Sequence, residues 1–394
     1  MKKGILVTGL ILLFILEIAG IYFIMPFPGS QKIDSLLFAY WLHNNKFWLR
    51  VLLVVIVLVC FADTFSETRK AGKIILSVVF VLYGFVFYYS NMKFQADRIF
   101  HQPKTKSFAH AADNKVDRKK LVIGVVSNNE AKAYPIQILG YHHQIRDTIG
   151  NTPIMVTYCT VCRTGRVYSP LVNGKPETFR LVGMDHFNAM FEDATTESWW
   201  QQATGVAVTG ELKGNSLQEI PSTQSTLESW LARYPDSKIL QPDTIYNKQY
   251  KSLKDFDNGT TDDELEKRDS GSWKFKSWVV GIQHSGNSKA YDWNELVTQK
   301  LIQDSMPGLP LMITLENDTA TFHVLNRTIN GNVLQFEQQP DGKLVDLQTT
   351  SVWQEDGLCI QGIYNGQRLA TVQASQEFWH SWQSFHPNSM VYKK

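Results

Sequence analysis

Three apolar runs crowd the first ninety residues and leave this part of the chain few environments other than a lipid bilayer. Ile5 to Met25 is apolar apart from Glu17 and a few small or hydroxyl side chains. At 1.5 Å per residue it measures about 30 Å, the thickness of the hydrocarbon core. A second run, Phe47 to Phe61, contains VLLVVIVLVCF and is interrupted by Arg50, which is expected to snorkel to the interface. The third, Ile74 to Tyr89, closes on Phe85, Phe87, Tyr88 and Tyr89, the aromatic cluster expected where a helix meets headgroups. The predicted spans are 5–25, 47–65 and 74–90. The first is too long for a removable signal, and no small-residue cleavage site follows it. Placing Lys2, Lys3, Arg69, Lys70 and Lys73 in the cytoplasm obeys the positive-inside rule. The expectation is a multi-pass protein of the plasma membrane, held in the bilayer by three helices, with its soluble part extracytoplasmic.

The rest of the chain is bounded by charge and cysteine usage. Lys+Arg 39 against Asp+Glu 37 leaves a formal charge of +2, which excludes a basic nucleic-acid surface as the organising feature. Hydrophobic residues at 44% exclude a disordered chain, and four cysteines in 394 residues exclude a disulfide framework.

The soluble part repeats itself. VIGVVSNNEAKAYP at 122 returns as VVGIQHSGNSKAYD at 279, and this offset runs without a gap to Phe179/Phe336, with 16 of 58 positions identical. Shorter offsets then align Asp193, Thr196, Ser198 and Trp200 with Asp346, Thr349, Ser351 and Trp353, and Trp230 with Trp382. The organisation read from this is a membrane domain (1–92), a juxtamembrane linker (93–119) and a first repeat (120–242). A polar linker or surface excursion (243–276) and a second repeat (277–394) follow. Each repeat is rich in strand patterns, with hairpin turns at Asn173-Gly174 and Asn330-Gly331, and ends in one short helix stopped by proline. The predicted fold is three N-terminal transmembrane helices followed by a duplicated, strand-dominated α+β domain.

Duplication also acts as a filter for chemistry. Residues present in both copies build the shared fold, and polar residues in one copy alone are the candidates. Asp193-x-x-Thr-x-Ser-x-Trp200 resembles a catalytic set, yet the second copy repeats it, so a turn held by side-chain hydrogen bonds is the better reading. The largest difference follows the strand PIMVTYC. Cys159-Thr160-Val161-Cys162-Arg163 stands there in one copy and Glu316-Asn317-Asp318-Thr319-Ala320 in the other. Two cysteines so spaced can chelate a metal ion, cycle as a dithiol, or form an inert structural pair. His142, His143 and His186 lack counterparts in the second copy, and with the cysteines they could make a thiolate–imidazole site suited to copper or zinc. Cys60 and Cys359 read as packing residues. Arg163 after Cys162 excludes a covalent c-type haem motif, and no phosphate loop or hydrolase elbow occurs. The competing reading is a scaffold or ligand-binding module whose aromatic surface (Trp199, Trp200, Trp379, Trp382) meets a partner or lipid.

The ordered motifs AYP (133–135), His142 with D-x-I-G (147–150), PIMVTYCxxC (153–162) and DxxTxSxWxQ, followed by G…G…L…W…P, resemble the prokaryotic family catalogued as domain of unknown function 3179. The resemblance covers about two thirds of the chain and implies no particular activity. That family typically carries C-P-x-C at the cysteines. Here Thr160 replaces the proline and Arg163 a small residue, which weakens a knuckle-type metal turn and leaves both thiols in place.

Overall fold

We describe residues 1–393 from a computed structural model. Three N-terminal helices, α1 (Lys2–Tyr22), α2 (Leu36–Glu67) and α3 (Lys70–Tyr88, continued by a wider turn through Lys93), are long and apolar enough to cross a membrane. A strand-rich region built of many small sheets follows. The chain divides into two compact units that do not follow chain order. One joins Met1–His101 with Glu177–Gln201 and Val206–Ser216; the other holds Gln102–Pro176, Gln202–Gly205 and everything from Leu217.

In the first unit α2 begins at Leu36, eleven residues before the apolar run that announces it (47 against 36). Its early turns serve a different purpose from its later ones. Ala39, with Leu36 and Tyr40 beside it, packs with Ile24, Val182, Met190 and Trp199, so this end of the helix is covered by strands rather than lipid. Those strands form a four-stranded antiparallel sheet in the order Ala207–Thr209, Trp199–Gln201, Asn188–Asp193, Phe179–Asp185. The Met184 amide donates to the Ile24 carbonyl oxygen (2.9 Å) and ties the sheet to the turn after α1.

Arg50 does not snorkel. Its Nε and Nη2 donate to the Glu17 carboxylate at 2.6 and 3.0 Å. Asn91 donates at 2.8 Å, Tyr83 at 3.1 Å, and Lys46 Nζ lies 3.2 Å away. Glu17 is fully buried, and a buried carboxylate among apolar helices persists only with such partners. The cationic neighbour that rescues Glu17 is therefore the residue whose charge interrupts the second run.

The second unit contains two sheets of like design. Strand Glu130–Pro135 pairs antiparallel with Leu121–Ser127 and parallel with Lys238–Leu240, while Ser222–Thr226 lines the far side of Leu121–Ser127. Asn287–Asp292, Trp278–His284, Met390–Val391 and Ala374–Phe378 repeat that arrangement. Three-stranded antiparallel sheets follow each, at residues 144–168 and 301–326. Residues shared by the two segments make matching bonds. Tyr134 and Tyr291 donate to Asp147 and Asp304 at 2.8 and 2.9 Å. Trp230 and Trp382 donate to Ser237 and Ser389, both at 2.7 Å. Gly124 and Gly281 lie flat under those two indoles, where any Cβ would overlap the ring. The Asp-Thr-Ser-Trp set is a turn, as its repetition suggests: Asp193 and Asp346 each accept from the amide three residues on, and from Trp200 or Trp353 Nε1 at 2.9 Å.

Residues 247–276 are more than a tether. Tyr250, Leu253, Phe256, Asp257 and Lys276 are buried. The four tryptophans read as an aromatic surface are mostly core, because Trp199, Trp200 and Trp382 are at most 2% exposed. Their indoles satisfy buried carboxylate or hydroxyl acceptors, a task that holds them inside.

Candidate functional site: a buried thiol pair

Strand Thr152–Cys159 runs antiparallel to Thr164–Tyr168, and Cys159 pairs with Thr164. The four residues between must reverse the chain, and the Arg163 amide closes the turn on Thr160 O at 3.2 Å. Such a turn folds Cys162 back toward Cys159. Both residues are thiols with no exposed surface.

The groups around the pair come from far along the chain, all within the second unit. The Phe378 amide donates to Cys162 O (2.9 Å), and His380 Nε2 donates to Val161 O (3.2 Å). Lys276 Nζ donates to Val161 O at 2.6 Å and to Leu265 O at 2.5 Å. Ser381 touches the Cys162 thiol, and its hydroxyl donates to Glu377 Oε2 at 3.1 Å. Glu377 also accepts from Arg166 Nη2 (2.5 Å), Ser375 (2.8 Å) and Thr164 (3.3 Å). Burial pushes the Cys162 thiol well above the usual cysteine range, and the neighbouring Cys159 adds to this, while Ser381 and the Lys276 charge pull the other way. Burial lowers Lys276, against the pull of both sulfurs. Burial and the Lys276 charge bring His380 down to about 3.

The three histidines read as ligands each have partners in the structure. His142 Nε2 is hydrogen-bonded to Tyr250 Oη at 2.6 Å, its ring set among Tyr141, Tyr246 and Tyr250. His143 closes a helix with a left-handed backbone (φ 61°), and its amide donates to Leu139 O at 2.7 Å. Lys300 does the same for the helix Trp293–Gln299, with φ 63°, so the special backbone of His143 belongs to the fold. His186 lies in the other unit and donates to Asp185 Oδ1 at 2.7 Å. Among the described residues no three His, Cys, Asp or Glu side chains are gathered to hold a metal ion.

Burial lowers His143 to about 4, with the His142 charge adding and the Tyr141 carbonyl opposing. An unfolded histidine titrates near 6.5, so between these values the unfolded chain binds the extra proton. His143 therefore contributes stability that is complete above about pH 6.5 and lost as pH falls toward 4. Thermal midpoints measured across this window should drop on acidification, and less steeply in His143→Asn, which tolerates the left-handed backbone. Identical slopes would show that His143 is not held neutral.

Fold and site together define a protein with three apolar helices and a strand-rich region that encloses an adjacent pair of thiols. Residues 100–389 match the model of the family described as protein of unknown function (DUF3179), and the chain belongs to that family. No curated protein and no solved structure is similar to it.

Proposed function

We propose that this chain is a membrane-anchored protein that carries out thiol–disulfide exchange through Cys159 and Cys162, with the soluble region outside the cytoplasm and built from two copies of one α+β repeat. The turn that folds Cys162 back toward Cys159, with both thiols buried, carries the reading. One thiolate attacks an incoming disulfide to give a mixed disulfide, and the second displaces it. The protein loses two protons and two electrons in becoming a disulfide, and the acceptor disulfide leaves as two thiols. Burial and the neighbouring Cys159 oppose ionisation of Cys162, and the Ser381 hydrogen bond and the Lys276 charge act in the other direction. The matching Tyr–Asp, Trp–Ser and Trp–Asp bonds support the duplication. The turn after α1 is joined to the sheet 179–209, which supports placing that sheet on the same side of the membrane as the α1–α2 turn.

A second reading keeps the sulfurs as ligands. Two adjacent thiolates suit a soft ion such as copper(I) better than zinc, which takes four ligands. One experiment separates the readings. The full chain, purified in detergent, is equilibrated across thiol–disulfide buffers, denatured and alkylated. Four labels are expected at the reducing end and two at the oxidising end, with Cys60 and Cys359 constant. Four labels throughout, or two that no reductant changes, overturns the redox reading. One equivalent of copper or zinc that disappears with Cys159→Ser/Cys162→Ser would establish the metal reading instead.

A further inference from the structure

Next to the thiol pair in sequence lies a residue that neither reading uses. Arg163 is 1% exposed, and among the described residues neither it nor Arg268 makes an ion pair with a carboxylate. Both guanidinium groups rest on the Trp278 indole, at 3.8 and 4.1 Å from its ring centroid. Three of the five Arg163 N–H donors are used, on Gln376 Oε1 and the carbonyls of Phe256 and Asp257. Arg268 Nη2 donates to Asn294 Oδ1. Buried charges are ordinarily paired, because an uncompensated one loses its hydration without replacement.

These residues line a cavity of about 290 Å³. Arg268 Nε, Trp278 Nε1 and Asp257 Oδ1, all on lining residues, are buried without a hydrogen-bond partner. Two are donors beside two cations, and the third is an acceptor. Asp318 also lines the cavity, but its carboxylate is engaged by Thr226 and Thr321 and by the Ala320 amide. Asp257 is the other carboxylate there: its Oδ2 accepts from the Leu121 amide and lies 3.8 Å from Lys120 Nζ, so it forms no ion pair with Arg163 or Arg268, and its Oδ1 faces no donor.

We propose that this cavity binds a small hydroxy acid. Its carboxylate would be held by Arg163, Arg268 and Trp278 Nε1, and its hydroxyl would donate to Asp257 Oδ1. Planar guanidinium groups match carboxylate geometry. A hydroxyl satisfies Asp257 without adding charge, whereas an ammonium would be repelled by the two arginines. Arg268 is only half-buried, which gives the ligand a way in past its side chain. The inference does not depend on the chemistry of the thiols.

The test is thermal-shift titration of the full chain in detergent with lactate, propionate, lactamide and inorganic phosphate. Lactate is expected to raise the midpoint saturably, propionate to bind at least fivefold more weakly, and lactamide to have no effect. Arg268→Gln should weaken lactate at least tenfold while leaving the unliganded midpoint within a few degrees. Trp278→Phe, which keeps the ring and removes the donor, should weaken it several-fold. Cys159→Ser/Cys162→Ser should bind lactate as before, which separates this site from the redox reading. No saturable response to lactate, an unchanged affinity in Arg268→Gln, or tighter binding of phosphate than of lactate would each overturn the proposal.

Discussion

Replacing Glu377 by Gln is expected to destabilise the folded protein by about 3–5 kcal/mol, the usual cost of removing one partner of a buried ion pair. The carboxylate is 1% exposed and accepts from Arg166, Ser375, Ser381 and Thr164. Without its charge the buried Arg166 guanidinium keeps the carbonyls of Ala203 and Gly165 and, as its one carboxylate among the described residues, the half-buried Glu219, 3.7 Å away. The measurement is the thermal or urea midpoint of the full chain. The double variant Glu377→Gln/Arg166→Met should recover at least half of the loss, because a buried pair exchanged for apolar and neutral groups is often tolerated. A single-variant cost below about 1 kcal/mol would mean that water reaches Arg166, contrary to its burial.

The second large effect concerns the matched tryptophans. Trp353 has no exposed surface and packs with Phe336, Leu344, Cys359 and Tyr364, and its indole donates to Asp346 at 2.9 Å. Trp200 is 2% exposed and packs edge-on against Phe179, with the same bond to Asp193. Truncation of either to Ala should cost about 3–5 kcal/mol, the range for a buried aromatic. If the two segments are copies of one design, the costs should agree to within about 2 kcal/mol, the spread found for one kind of truncation within a single protein. A gap above about 2 kcal/mol, measured on the same chain, would set the two environments apart and count against the duplication.

Much of this architecture could be read from residue order, because periodicity and local turn chemistry decide it. The three apolar runs marked the helices, and Asn173-Gly174 and Asn330-Gly331 marked turns whose residues take φ between 48° and 82°. The early part of α2 was hidden for a physical reason. LLFAYWLHNNK mixes polar and apolar residues because one side of it meets strands, so it lacks the uniform apolarity of a lipid-facing run.

The cysteines stood out, but their surroundings did not, because Lys276, Glu377, His380 and Ser381 approach only through long-range folding. The alignment of the two segments held an unused signal. Glu377 and His380 stand where the first copy has Ser225 and Glu228, so looking for residues peculiar to the second copy would have found them. Adjacent histidines suggest ligation, and the structure adds that His142 bonds a buried tyrosine and His143 ends a helix.

The sheet at 179–209 is built onto Ile24 and Ala39, and this bears on how the chain can be cut or re-tethered. The family match begins at residue 100, yet a secreted fragment starting there would uncover Val182, Met190 and Trp199 and orphan the Met184 amide. Such a fragment should be sticky and partly open, and grafting a foreign anchor ahead of residue 100 should not cure it. In this protein the turn after the first helix and the start of the second pack with the sheet, so gene fusions that exchange the helices should carry residues 23–40 along with the strands.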